Sequence, residues 1–224
     1  MSQEIEKKIS KSGTTTLGLV CKDGIVLAAD KRGSYGSDSG VVFIASKREQ
    51  KIFPITDKIA VTTAGVVSDL QLIVKLVKAE LRLKQIKTKI EPSVREAANL
   101  FGAIVYQNIR KFSPVIGVTH FLLGGKDSSG FHLFEIDVGG AVNEKEKFVV
   151  SGSGMPLVYG VLETEYKEDI NVEEGVKLAA RCVNAAMQRD PGTGEGIDVF
   201  TITKEGVKHV LEQEVQKMLV TKKK

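Results

Sequence analysis

The chain has 224 residues, 42% of them hydrophobic, enough for one large core that buries roughly 70% of the unfolded surface. Its formal net charge of +4 comes from interspersed Lys and Glu; the one dense basic run, Thr221-Lys222-Lys223-Lys224, reads as a solvated tail and not as a nucleic-acid site. No run approaches the ~18 apolar residues that span a bilayer, and residues 1–13 lack the apolar centre of a secretory signal. Cys21 and Cys182 lie in apolar periodic segments, which favours reduced core thiols of a cytoplasmic protein over a disulfide or metal pair.

In chain order, the polar residues 1–13 give way at Ser12-Gly13-Thr14-Thr15-Thr16-Leu17-Gly18 to strand-like Thr14–Cys21 and Ile25–Asp30, with the Asp-Gly hairpin signal in Lys22-Asp23-Gly24 between them. Two registers are considered. A two-residue loop would set Asp30 opposite Leu17; a three-residue loop with Gly24 left-handed would set it opposite Thr16, on the face of Thr14. We expect the second, because it gathers Leu17, Leu19, Cys21, Ile25, Leu27 and Ala29 on one face. Lys31–Gly40 reads as an exposed loop, followed by strands at Val41–Ala45, Lys51–Ile55 and Ile59–Thr63. Leu70, Ile73, Val74, Val77 and Leu81 predict a helix capped by Ser68. A capping box, Ser93 with Glu96, predicts a second helix whose buried stripe is Val94, Ala97, Ala98, Phe101, Ile104, Val105 and Ile109, closed by Pro114. Strands return at Val118–Leu123, Gly130–Asp137 and Lys147–Ser151. Helices follow at Pro156–Tyr166 and at Val172–Gln188, the latter capped by Asn171 with Glu174, and a hairpin of Ile197–Thr203 and Val207–Leu211 ends the series. This order predicts an α+β fold, two antiparallel sheets packed together with a helix layer outside each.

One bond stands out chemically. A threonine hydroxyl within a chain is a poor nucleophile without a base in reach. Cleavage of Gly13–Thr14 would supply one, an α-amine with a pKa of about 7.7–8.0, on the same residue as the hydroxyl. Gly13 suits the scissile position, since glycine bends freely enough to present its carbonyl to the next hydroxyl. Taken singly, the residues are ordinary: threonines open many strands, Lys51 reads as a surface lysine, Asp30 as a strand end, and Ser153-Gly154 and Asp190-Pro191-Gly192 as turns.

Together they resemble the proteasome β subunits, particularly the archaeal kind. The resemblance covers nearly all of residues 13–212. It runs through Gly13-Thr14-Thr15-Thr16, Asp23-Gly24-Ile25-Val26-Leu27-Ala28-Ala29-Asp30, Lys51-Ile52, Thr62-Thr63-Ala64-Gly65 and Gly152-Ser153-Gly154. It continues in Tyr159-Gly160-Val161-Leu162-Glu163, Arg189-Asp190, Gly194 and Gly196-Ile197-Asp198-Val199. The resemblance implies the N-terminal nucleophile hydrolase fold, a four-layer αββα sandwich, with a self-removed propeptide over residues 1–13 and one domain over 14–224. It implies Thr14 as nucleophile, Asp30 and Lys51 completing the catalytic core, and Ser153, Asp190 and Thr193 steadying the terminal amine. Gly65 would give its N–H to an oxyanion, Thr63 would line a side-chain pocket, and Gly33 and Ser34 would contact the substrate strand. No metal or organic cofactor is implied. Implied partners are α subunits and other β subunits in stacked heptameric rings, an activating ATPase and unfolded polypeptides, with neither nucleic acid nor membrane, in the cytoplasm. Two departures stand: Thr193 replaces a more usual serine, and the Asp30–Lys51 stretch is longer by residues centred on Ser37-Asp38-Ser39-Gly40. A non-catalytic β subunit and a simpler two-ring bacterial peptidase remain as alternatives; retention of Thr14, Asp30 and Lys51 argues against the first, chain length and Arg189-Asp190 against the second.

Overall fold

The computed structural model describes residues 13–36, 42–113 and 116–214. Its strands are β1 (Thr15–Cys21), β2 (Gly24–Asp30), β3 (Gly33–Gly36), β4 (Val42–Ser46), β5 (Ile52–Thr56), β6 (Ile59–Gly65), β7 (Thr119–Asp127), β8 (Gly130–Ile136), β9 (Val142–Glu144), β10 (Phe148–Gly152), β11 (Gly196–Thr203) and β12 (Gly206–Glu214). Its helices are α1 (Val67–Thr88), α2 (Val94–Arg110), α3 (Met155–Glu165) and α4 (Val172–Met187). One antiparallel sheet has the order β10-β1-β2-β11-β12 and a second the order β5-β6-β7-β8-β9, while β3 and β4 form a separate ribbon.

Three apolar layers hold these elements. Between the sheets, Ile25, Leu27 and Ala29 meet Ala60, Leu122, Leu133, Phe200 and Ile202. Outside the second sheet, Ile73 and Val77 of α1 and Phe101 and Val105 of α2 cover Phe121, Leu123 and Phe134. Outside the first, Leu162 of α3 and Leu178, Cys182 and Val183 of α4 cover Leu17, Leu19, Val26 and Ala28. The expected α+β sandwich, in the order helix, sheet, sheet, helix, is present. Both capping boxes form as well: Ser93 with Glu96 on α2, and Asn171 with Glu174 on α4. Cys21 and Cys182 are buried free thiols, and burial pushes each up to about 12.

The first hairpin corrects the expected register. Its turn is Lys22-Asp23, with Cys21 paired to Gly24, Leu17 to Ala28 and Thr16 to Ala29, so Asp30 comes level with Thr15. The Asp-Gly pair has other work. The Asp23 carboxylate accepts the Val172 N–H at 2.8 Å, capping α4, where a negative charge also suits the helix dipole. Gly24 opens β2 where a Cβ would lie 2.4 Å from the Ile202 carbonyl oxygen of β11, so it serves a close strand approach and not a left-handed turn. Sorting side chains by polarity could not set this register, because the helices cover one face of β2 and the second sheet the other.

Other expectations change locally. Helix α1 starts two residues earlier, after Val66, without a side-chain cap; Ser68 turns to Asp69 instead. Asn108, not Ile109, completes the buried stripe of α2, its amide donating to the Gly117 carbonyl at 2.9 Å. Part of the Lys31–Gly40 loop is the strand β3, and Lys31 and Ser34 are buried. Strand β9 was not foreseen. Pro114 and Ser37-Asp38-Ser39-Gly40 lie outside the described residues.

The helix-on-sheet layer gives a direct stability contrast. Phe101 is fully buried, its ring 5.0 Å from that of Phe121, so Phe101→Ala should cost about 3–5 kcal/mol. In the unassembled chain Leu83, 44% exposed on α1, should cost within about 0.5 kcal/mol as Leu83→Ala. Denaturant titration of the two variants checks both values.

Candidate active site

Asp30 ends β2 with no exposed surface, and its carboxylate is held from four sides. One oxygen accepts the Thr15 N–H at 2.9 Å and the Lys51 ammonium at 2.7 Å; the other accepts the N–H groups of Arg32 and Gly194, each at 3.0 Å. Lys51 is 4% exposed, and its carbonyl is fixed by the Thr63 N–H at 2.9 Å and Thr63 hydroxyl at 3.3 Å. Burial lowers its pKa, against the opposing pull of Asp30. An ammonium can donate three times; Asp30 takes one.

Thr14 enters β1 5% exposed, its hydroxyl donating to the Gly13 carbonyl at 2.6 Å. Its N–H donates to the Ser153 hydroxyl at 3.2 Å. Ser153 has one proton to give, and the Asp190 carboxylate at 2.6 Å is a better acceptor than the Thr14 carbonyl at 3.3 Å. Thr193 also donates to Asp190, so the 2.6 Å contact between Thr15 and Thr193 hydroxyls takes its proton from Thr15. Asp190 accepts the Gly192 N–H at 3.1 Å as well. Ser153, Asp190 and Thr193 thus form one network under the backbone of Thr14, and threonine at 193 keeps the hydroxyl that the network uses.

A cavity of about 180 Å³ opens beside Thr14. Gly13, Thr14, Gly33, Ser34, Lys51, Thr63 and Gly65 all line it, so these seven expected site residues meet there. Asp30 lies beneath, through Lys51. A larger hollow of about 660 Å³, between the end of α1 and the β7–β8 turn, contains none of them. The Ser34 hydroxyl accepts the Gly13 N–H at 2.9 Å. Gly13 has a packing reason beyond flexibility: a Cβ there would lie 2.1 Å from Cα of Gly192, where two backbones cross.

Sequence reasoning missed three participants. Thr15 joins the network through its hydroxyl, and the Gly194 N–H supports Asp30. Arg32 ties the Pro191 carbonyl at 2.8 Å and Glu195 at 3.1 Å, holding the 190–195 loop against the site. Thr15 and Gly194 stood in the motifs without an assigned role, and Arg32 carried no signal beyond its charge two positions after Asp30.

A sandwich of this layer order, with the threonine-headed strand inside one sheet between β10 and β2, is the N-terminal nucleophile hydrolase fold. Comparison with known proteins narrows it. The proteasome subunit family model matches residues 10–202. A proteasome subunit beta of Ferroglobus placidus is 44% identical over 216 residues, 96% of this chain and 98% of that protein. One of Archaeoglobus profundus is 43% identical over 219 residues, 98% and 97% of the two chains. Proteasome subunit beta 1 of Thermococcus onnurineus is 43% identical over 207 residues, 92% and 97%. The chain belongs to the proteasome subunit family, and so to a family of proteases.

The geometry predicts an asymmetry within the buried pair. Asp30→Ala strands the Lys51 ammonium and three N–H groups, and should cost about 3–5 kcal/mol. Lys51→Met leaves the carboxylate its three N–H donors and should cost clearly less, measurable as a smaller drop in denaturation midpoint.

Proposed function

We propose that this chain is a catalytic β subunit of the 20S proteasome, a threonine endopeptidase in which Thr14 supplies nucleophile and base once Gly13–Thr14 is cut. One observation carries the proposal: the Thr14 hydroxyl sits 2.6 Å from the carbonyl oxygen of the bond it would break, in a cavity that Lys51 also lines. Residues 1–13 are then a removable propeptide and residues 14–224 the mature domain.

Self-cleavage begins with attack of Thr14 Oγ1 on the Gly13 carbonyl carbon. The amide C–N bond breaks as the ester C–O bond forms, the proton passes to the departing nitrogen, and the acyl group now sits on oxygen. Water hydrolyses the ester, releasing residues 1–13 and freeing the amine. In turnover the amine accepts the hydroxyl proton while Oγ1 attacks a substrate carbonyl, then passes it to the leaving amine; water, deprotonated by the same amine, cleaves the acyl-enzyme. The Lys51 ammonium stabilises the threonine alkoxide, Asp30 keeps that ammonium charged and aimed, and Gly65 N–H receives the oxyanion. Gly33 and Ser34 hold the substrate backbone as Ser34 now holds Gly13.

The partners are α subunits and further β subunits in stacked heptameric rings, with an ATPase delivering unfolded polypeptides in the cytoplasm. Leu72, Leu76, Leu83 and Ile86 stand exposed along one face of α1 at heptad-like spacing, an apolar stripe suited to burial between subunits.

Intact mass of the assembled protein should show loss of residues 1–13, and Thr14→Ala should retain them and hydrolyse no peptide. Lys51→Ala should slow peptide hydrolysis by about 100- to 1000-fold. A chain that keeps its leader in assembled particles, yet digests peptides as fast as the processed form, would overturn the proposal.

A further inference from the structure

We infer that the cavity beside Thr14 selects peptides with Lys or Arg on the acyl side of the scissile bond, and that Glu49 sets this choice. The inference rests on the peptidase proposal above and names its substrate class. Three charged side chains line the cavity: Arg32, Glu49 and Lys51. Two are satisfied. Lys51 is paired with Asp30, and Arg32 with Glu195 and the Pro191 carbonyl. Among the described residues the Glu49 carboxylate is in no ion pair within 4.0 Å; the one cation whose charge it is shown to feel, Lys51, is already bonded to Asp30. Once the two close pairs are set against each other, it is the charge in the cavity wall without a bonded counter-ion, and charge in a partly enclosed, low-dielectric space acts more strongly than in water.

Its position suits the role. A Cβ built on Gly33 would lie 3.4 Å from Glu49 Oε2, so the carboxylate faces the strand whose next residue, Ser34, holds the Gly13 backbone. Phe53, Val67, Leu70 and Ala45 supply apolar wall. The cavity of about 180 Å³ is smaller than the roughly 300–1,000 Å³ of sites for whole small molecules, and fits one side chain. Lysine and arginine match this combination, laying an aliphatic stem on the wall and a cationic head on the carboxylate. An acidic side chain would meet like charge, and an apolar one would bury Glu49 unpaired. Gly13 occupies the acyl-side position before processing and has no side chain to enter the cavity, so self-cleavage does not depend on this preference.

The test uses the processed full chain assembled with its α subunits and fluorogenic tetrapeptides that differ only in the acyl-side residue: Arg, Leu or Glu. The arginyl reporter should exceed the other two in kcat/KM by tenfold or more. Glu49→Gln should lower the arginyl-to-leucyl ratio about tenfold, equivalent to about 1.4 kcal/mol, and Glu49→Lys should move the preference to the glutamyl reporter. A leucyl preference in the unaltered protein, or equal loss of all three reporters in both variants, overturns the assignment while leaving the threonine mechanism standing. A protein that keeps residues 1–13 and cleaves none of the reporters overturns the underlying proposal, and the preference with it.

Discussion

A single carboxylate, Asp30, ties together parts of the chain that are far apart in sequence. It takes Thr15 from β1, Arg32 from the start of the β3 ribbon, Gly194 from the loop before β11 and Lys51 from the entry to β5. A buried charge with so many donors is costly to assemble and costlier to leave half-assembled. Its satisfaction therefore fixes several backbone positions at once. The first sheet meets the second at this corner, and the ammonium that Asp30 orients shares a cavity with Thr14.

The fold was legible because its signals are local. Helical spacing in Leu70, Ile73, Val77 and Leu81 and in the stripe around Phe101 survives packing unchanged, and two capping boxes mark helix starts that the structure keeps. The hairpin register was not legible. Its turn residues were spent on tertiary partners, Asp23 on the α4 terminus and Gly24 on the approach of β11, and neither partner can be seen from the residues between 21 and 25. The β3 ribbon escaped for a related reason: Gly33, Ser34 and Gly36 carry loop chemistry, and only pairing with β4 makes them a strand.

Around Thr14, the motifs brought Thr15 and Gly194 into view without a role, because each acts through an atom that its residue type does not single out. Gly194 contributes an N–H that any residue carries, and Thr15 a hydroxyl that one more threonine in a row of three does not advertise. Glu49 lies in a charged stretch, Lys47-Arg48-Glu49, that reads as a solvated surface; its place in the cavity wall follows from the turn between β4 and β5.

The Lys51 ammonium and the Asp190 carboxylate act on opposite sides of a balance. In the proposed mature enzyme the free amine of Thr14 lies near the Lys51 ammonium, which disfavours its protonated form, and above the network ending in Asp190, which favours it. Alone, the first would leave the amine too weak a base to take the hydroxyl proton; alone, the second would keep it protonated and unable to accept one. A base that must pick up a proton from Oγ1 and give it to a leaving amine in the same turnover works best between these limits, near the operating pH. Asp30 reaches that balance only indirectly: by neutralising most of the Lys51 charge it tempers the first effect, so the buried pair that anchors the fold also sets how basic the amine is.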